Sequence, residues 1–152
     1  NMAASSWLAL GPIGTGALGM LLLGGDAPAI FAANGLPGVG EMANGLGVVA
    51  GITLWGFGLW WMLIAVLITL RYLRAGIPFN LGWWGFTFPL GVYALATLKL
   101  ANLLHLSFFS VFGSVLVLAL TLMWLIVAKR TVQGAYKGEL FVSPCIAGLA
   151  NK

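Results

Sequence analysis

Charge is what this chain has least of. Of its 152 residues only 7% are Asp, Glu, Lys or Arg, where an ordinary soluble domain carries about a quarter. Water could not wet a surface built from this composition, which excludes a soluble globular fold. Histidine and cysteine occur once each, as His105 and Cys145. No disulfide can therefore close within the chain, and no Cys/His metal cage can assemble. The acidic residues, Asp26, Glu41 and Glu139, lie far apart. No H-E-x-x-H, G-x-S-x-G or phosphate-binding glycine loop is present, so enzymatic chemistry has nothing to build on and no cofactor is expected. Ser143-Pro144-Cys145 reads as a turn rather than a nucleophile site. The net charge of +4 is no nucleic-acid signal, because the basic residues form two short clusters flanking apolar runs.

What the chain has is apolar length. Hydrophobic residues make up 61%, with 22 glycines and 7 tryptophans, and the mean hydropathy is +1.05. Interfacial aromatics and close-packing glycines are both enriched in helical membrane proteins, so the expected class is an all-α polytopic membrane protein in the lipid bilayer. Residues 1–152 read as one membrane domain. Spans are expected at about 7–23, 47–70, 81–103 and 106–128, followed by a polar tail over 129–152. The Gly-, Asn- and Pro-rich stretch between the first two spans reads as a loop with room for one short interfacial helix.

Charge placement orients these spans. Arg71 and Arg74 follow the second, and Lys129, Arg130 and Lys137 follow the fourth. The opposite loops hold Asp26, Glu41 and His105 but no Lys or Arg. The positive-inside rule then puts both chain ends and the Arg71/Arg74 loop in the cytoplasm; the expected location is the cell's inner (plasma) membrane.

The third span is unusual, because Pro89 and Gly91 fall in the middle of an apolar run. A proline there removes one backbone hydrogen bond and clashes with the carbonyl four residues earlier, so a kink is expected. Lipid tolerates such a defect only where protein or a water-filled cavity satisfies the freed carbonyl. This helix is therefore expected to line something. The first span shares its pattern: W-x4-P-x-G-x2-A-L runs from Trp7 to Leu18 and again, 77 residues later, from Trp84 to Leu95. Chance alignment of common membrane residues is the bland reading. A true repeat would be a hairpin of one kinked and one straight helix, with the kinked helices lining a path.

The strings WWGFTFPLGVYALAT, SSWLALGPIGTGAL and YKGELFVSPC resemble the tellurite-resistance/dicarboxylate transporter family. That family includes bacterial tellurite-resistance protein A, fungal malate and sulfite exporters, and plant slow anion channels. The resemblance covers most of the chain and is most specific over Trp83–Pro89. It implies ten spans arranged as five hairpins around a pore, with kinked inner helices and assembly as a trimer. It also implies that this chain is the C-terminal part, spans seven to ten, so its partners would be the preceding part of the same protein or further copies of itself. The implied substrates are small inorganic or organic anions. Few buried cations favour chloride- or nitrate-like ions; malate, sulfite and tellurite-related anions remain open. A non-transporting membrane subunit that docks on a larger partner is the reading from another class.

The resemblance matches Phe88 to the pore-occluding phenylalanine of the family; without it, Phe88 reads as a core residue. Phe86 would point about 160° away on a regular helix. Gly11 holds the equivalent place in the first span, beside Pro12, and leaves room for a bulky ring. Gly91 joins Pro89 in loosening the third span. Lys99 follows Phe88 by 11 residues, about 20° from the same azimuth, and either faces the path or snorkels to the headgroups. Thr15, Thr87 and Asn102 could offer neutral donors. Trp83, Trp84 and His105 read as interfacial residues.

Overall fold

The computed structural model describes residues 2–74 and 81–136. Lys137, Glu139, the Ser143-Pro144-Cys145 turn and residues 75–80 of the second linker lie outside the described residues. In an apolar medium each backbone N–H and C=O must find its partner inside the chain, and a helix does this within one segment. The elements are α1 (Met2–Leu8), α2 (Leu10–Ala33), α3 (Pro37–Arg74), a 3-10 segment (Leu81–Phe86), α4 (Thr87–Leu104) and α5 (Ser107–Tyr136). The stretches Ser5–Ala33, Pro37–Tyr72, Gly82–Leu104 and Ser107–Tyr136 are long and apolar enough to cross a membrane. This is an all-α polytopic membrane protein.

The loop expected between the first two spans is helical instead. Helix α2 continues to Ala33 and α3 begins at Pro37, leaving a turn of three residues. Asp26 and Glu41 consequently lie in helices rather than in a loop. The glycines that read as loop formers bring two backbones into contact. A Cβ on Gly47 would lie 2.5 Å from the carbonyl oxygen of Met20 and 2.8 Å from Cα of Gly24; one on Gly40 would lie 2.7 Å from Cα of Pro28. Only glycine permits that approach. The turn closes as a Schellman motif: Leu36 N–H donates to Phe31 O at 2.9 Å and Gly35 N–H to Ala32 O at 3.1 Å, with Gly35 at φ 76°. Helix α5 likewise runs to Tyr136, into the stretch expected to be tail.

The proline defect lies elsewhere than expected. Pro89 is the third residue of α4, not its middle, and the irregular backbone is the 3-10 segment just before it. Pro12 is the third residue of α2, after the short α1 and a break at Ala9. In the first turn of a helix the N–H that proline lacks has no intrahelical partner to lose, so each chain breaks upstream of its proline. The repeat pattern thus puts a proline at the third position of a helix in both hairpins, after a short α-helix in the first and a 3-10 segment in the second.

Helix α2 packs along α3, and α4 packs against both α2 and α5. The core centres on Trp55, whose ring stacks on Tyr93 (5.9 Å between centroids) and meets Phe109 edge-on at 4.9 Å. Trp55 Nε1 donates to Thr97 Oγ1 at 2.8 Å, Thr97 Oγ1 donates to Tyr93 O at 2.8 Å, and Tyr93 Oη donates to Trp55 O at 2.7 Å. The three residues close a ring of bonds between α3 and α4. Gly58 makes space for it, since a Cβ there would lie 2.5 Å from Tyr93 Cε2. The same Trp–Thr–carbonyl relay ties down both repeats. Trp7 Nε1 donates to Thr69 Oγ1 at 2.9 Å and Trp84 Nε1 to Thr131 Oγ1 at 3.2 Å. Each threonine in turn donates to the carbonyl one turn back, Ala65 and Val127 respectively.

Thr97→Val should destabilise the protein in detergent by about 1–3 kcal/mol, because it leaves the buried Trp55 N–H unpaired. Tyr93→Phe removes a donor but leaves Trp55 O its own helix, and should cost less, about 1 kcal/mol. Equal losses in thermal unfolding would contradict the closed ring. Gly47→Val should cost about 1–3 kcal/mol through backbone collision. Gly45→Ala, with nothing within 4 Å of the added carbon, should leave the melting temperature unchanged or raise it.

Candidate functional site

Gly11 and Phe88 occupy the same position in their helices, the second residue, and they touch. A Cβ on Gly11 would lie 3.2 Å from Phe88 Cε1 and 3.8 Å from Pro89 Cγ, and one on Gly14 would lie 3.0 Å from Val92 Cγ2. Helices α2 and α4 therefore run in the same direction, side by side, with the two proline turns level. Parallel repeats of this kind are related by an axis along the membrane normal.

Phe88 is 62% exposed and Phe86 is 3% exposed. The Phe86 ring packs between Trp7 at 5.6 Å and Trp83 at 5.9 Å. Phe88 instead lies over the buried Gly11 with its outer side uncovered. Leu95 and Asn102 continue the exposed stripe of α4, and Lys99 lies half-buried within it. On α2 the stripe is Pro12, Thr15, Leu22 and Asp26, all exposed. The two stripes adjoin across the α2–α4 contact and form one open face, turned away from α3 and α5.

Not every expected residue lies on this face. Gly91 is turned towards α5, with Leu120 Cδ2 at 3.6 Å from a Cβ built there. Thr87 donates to Trp84 O at 2.8 Å, so its hydroxyl is already engaged. Trp83 carries the Arg130 guanidinium over its ring at 5.7 Å, and Trp84 is held by Thr131, so both clamp the 3-10 segment to the end of α5. His105 is exposed and closes the α4–α5 turn at φ 52°. Asp26 was missed because Gly24, Gly25 and Pro28 around it suggested a loop. The signal was the spacing Thr15, Gly19, Leu22, Asp26, which continues one helical face without a break. Among the described residues no group of three His, Cys, Asp or Glu side chains could hold a metal ion. Among the described residues the face offers one cation, one carboxylate, a few neutral polar groups and the exposed Phe88 ring.

The profile of the SLAC1 family, described as voltage-dependent anion channels, matches residues 1–132. The chain belongs to this family. It is 34% identical over 139 residues to the sulfite efflux pump SSU1 of Trichophyton rubrum, an alignment covering 90% of this chain and 36% of that protein. It is 31% identical over 141 residues to an uncharacterized transporter of Methanocaldococcus jannaschii, covering 92% of this chain and 38% of that one. The chain thus spans little more than a third of the length of these relatives. No solved structure matches it. The resemblance carried by the Trp83–Pro89 segment is to this same family.

The Gly11–Phe88 contact leaves little slack. Gly11→Val should push the Phe88 ring off its seat, and Phe88→Ala in the same chain should recover the lost stability. Melting temperatures of the two single variants and the double variant check this coupling, and strictly additive changes would contradict the contact.

Proposed function

We propose that the open face of α2 and α4 is one wall of an anion path, and that Phe88 is the plug in it. The supporting observation is the pair of neighbouring phenylalanines, one buried in a tryptophan cage and one left uncovered on a glycine. Packing inside the hairpins covers Phe86, whereas Phe88 keeps most of its ring free on the α2–α4 face. A ring held there blocks a narrow passage by its bulk and by dewetting, because it offers an anion no hydrogen bond. Lys99 follows on the same stripe and raises local anion concentration. Family membership and the names of the relatives support a transporter rather than an enzyme.

On this reading the chain supplies two of the hairpins around the path, and the rest comes from the preceding part of the same protein. The complete protein assembles as a trimer in the plasma membrane, with Arg71, Arg74, Lys129 and Arg130 on the cytoplasmic side. The substrates are small anions, monovalent inorganic ions first; sulfite is what one relative is named for.

In the complete protein, Phe88→Ala should raise anion current severalfold in planar bilayers, normalised to membrane expression. Phe86→Ala should mainly lower stability, by about 3–5 kcal/mol for loss of a buried aromatic ring. Unchanged current in Phe88→Ala, with a gain in Phe86→Ala, would put the wrong face on the path. Lys99→Ala should lower the current modestly. Current absent from the complete wild-type and Phe88→Ala proteins alike would favour a docking subunit instead.

A further inference from the structure

We propose that Asp26 is a charge filter at the outer end of this path, favouring singly over doubly charged anions. The inference rests on the reading of the α2–α4 face as the path wall. It starts from register. Gly11 lies beside Phe88 and Gly14 beside Val92 and Tyr93, so Asp26 is level with Leu104, the last residue of α4. Lys99 lies five residues before that level, about 7 Å lower along the axis.

Azimuth places Asp26 on the same face. It follows Thr15 by 11 residues, the spacing that separates Lys99 from Phe88, and so lies within about 20° of Thr15 on α2. Its side chain is exposed. An anion that has passed Phe88 and Lys99 on its way out therefore meets a carboxylate last, and one entering meets it first. Glu41 is exposed on α3, which does not contribute to this face, and His105 caps α4 at the level of Asp26.

Coulomb repulsion is linear in the charge of the passing ion. At about 8–10 Å, in a medium between protein surface and bulk water, one carboxylate lowers the occupancy of a monovalent anion by about two- to tenfold. The penalty for a dianion is that factor squared. Lys99 acts with the opposite sign, so a path holding Lys99 alone would concentrate dianions. Asp26 cancels that advantage at the mouth and leaves monovalent ions the faster passage.

The test measures chloride and sulfate currents in planar bilayers with the complete protein. Phe88→Ala is the background, so that the plug no longer limits passage and the mouth does. Asp26→Asn in that background should raise chloride current by about two- to tenfold and sulfate current by about the square of that factor. The sulfate-to-chloride ratio should therefore rise at least twofold, and more at low ionic strength. Asp26→Glu and Glu41→Gln should leave the ratio where it was. Asp26→Ser, which removes the charge with a different side chain, should reproduce Asp26→Asn. If Phe88→Ala raises current but neither neutral variant moves the ratio, the filter is overturned and the path reading stands. If Phe88→Ala raises no current, the path reading falls and the filter falls with it.

Discussion

An indole N–H in an apolar medium must find an acceptor inside the chain, and three tryptophans find theirs on threonines, in one buried, one half-buried and one exposed bond. Trp55 donates to Thr97, Trp7 to Thr69 and Trp84 to Thr131. Each threonine also donates to its own helix one turn back. The hydroxyl thus acts as donor and acceptor at once, and no polar atom is stranded. Among the described residues, no buried side-chain nitrogen or oxygen lacks a partner. Because lipid offers no competing hydrogen bonds, such relays also fix how far one helix can slide on the next. Trp55 holds α3 to α4, Trp7 holds α1 to α3, and Trp84 holds the 3-10 segment to α5.

The relays hold in place the parts of the backbone that the prolines disrupt. The chain breaks before Pro12 and before Pro89, where α1 and the 3-10 segment would otherwise be free to swing. Trp7 and Trp84 pin those two pieces to the far ends of α3 and α5. Trp61 adds a bond from α3 to the carbonyl of Ser6 at 2.8 Å. The two breaks can then lie level, which brings the second residue of α2 against the second residue of α4. One of those residues is glycine and the other phenylalanine, so the two repeats interlock instead of colliding. Pseudo-symmetry supplies the frame, and the departure from it at this one position lets the Phe88 ring lie on Gly11.

The open face is chemically spare. On the proposed reading of this face, one cation, one carboxylate and several apolar residues would hold no anion tightly, and passage needs binding weak enough to permit release. Packing on the α3 and α5 sides leaves Phe88 on the side that no other described helix covers. The long α2–α3 hairpin also carries its glycine contacts, Gly24 on Gly47 and Gly40 on Pro28, up to the level of the α4–α5 turn. Asp26, between these two contacts, is thereby held on a packed helix and not on a loop.

Much of this was legible in the sequence, and what was not has a physical cause. The all-α membrane class followed from composition and from the length of the apolar runs, which lets each segment pair its backbone within a single membrane-crossing helix. Trp7-to-Leu18 and Trp84-to-Leu95 betrayed the repeat, and Gly11 opposite a bulky ring could be read from their alignment. The residues 24–46 could not be read correctly, since glycine and proline signal turns in water but close helix contact in an apolar setting. Pro89 begins a helix instead of bending its middle, and the 3-10 segment before it is tied to α5 by Trp84 reaching Thr131, 47 residues away in sequence. Gly91, alike in pattern to Gly14, turned to α5 because the second hairpin packs on itself there. Sequence alone determined which residues had to leave water and which helices could form. Only the tertiary structure decided which faces they share, because register between helices is set by contacts between residues far apart in the chain.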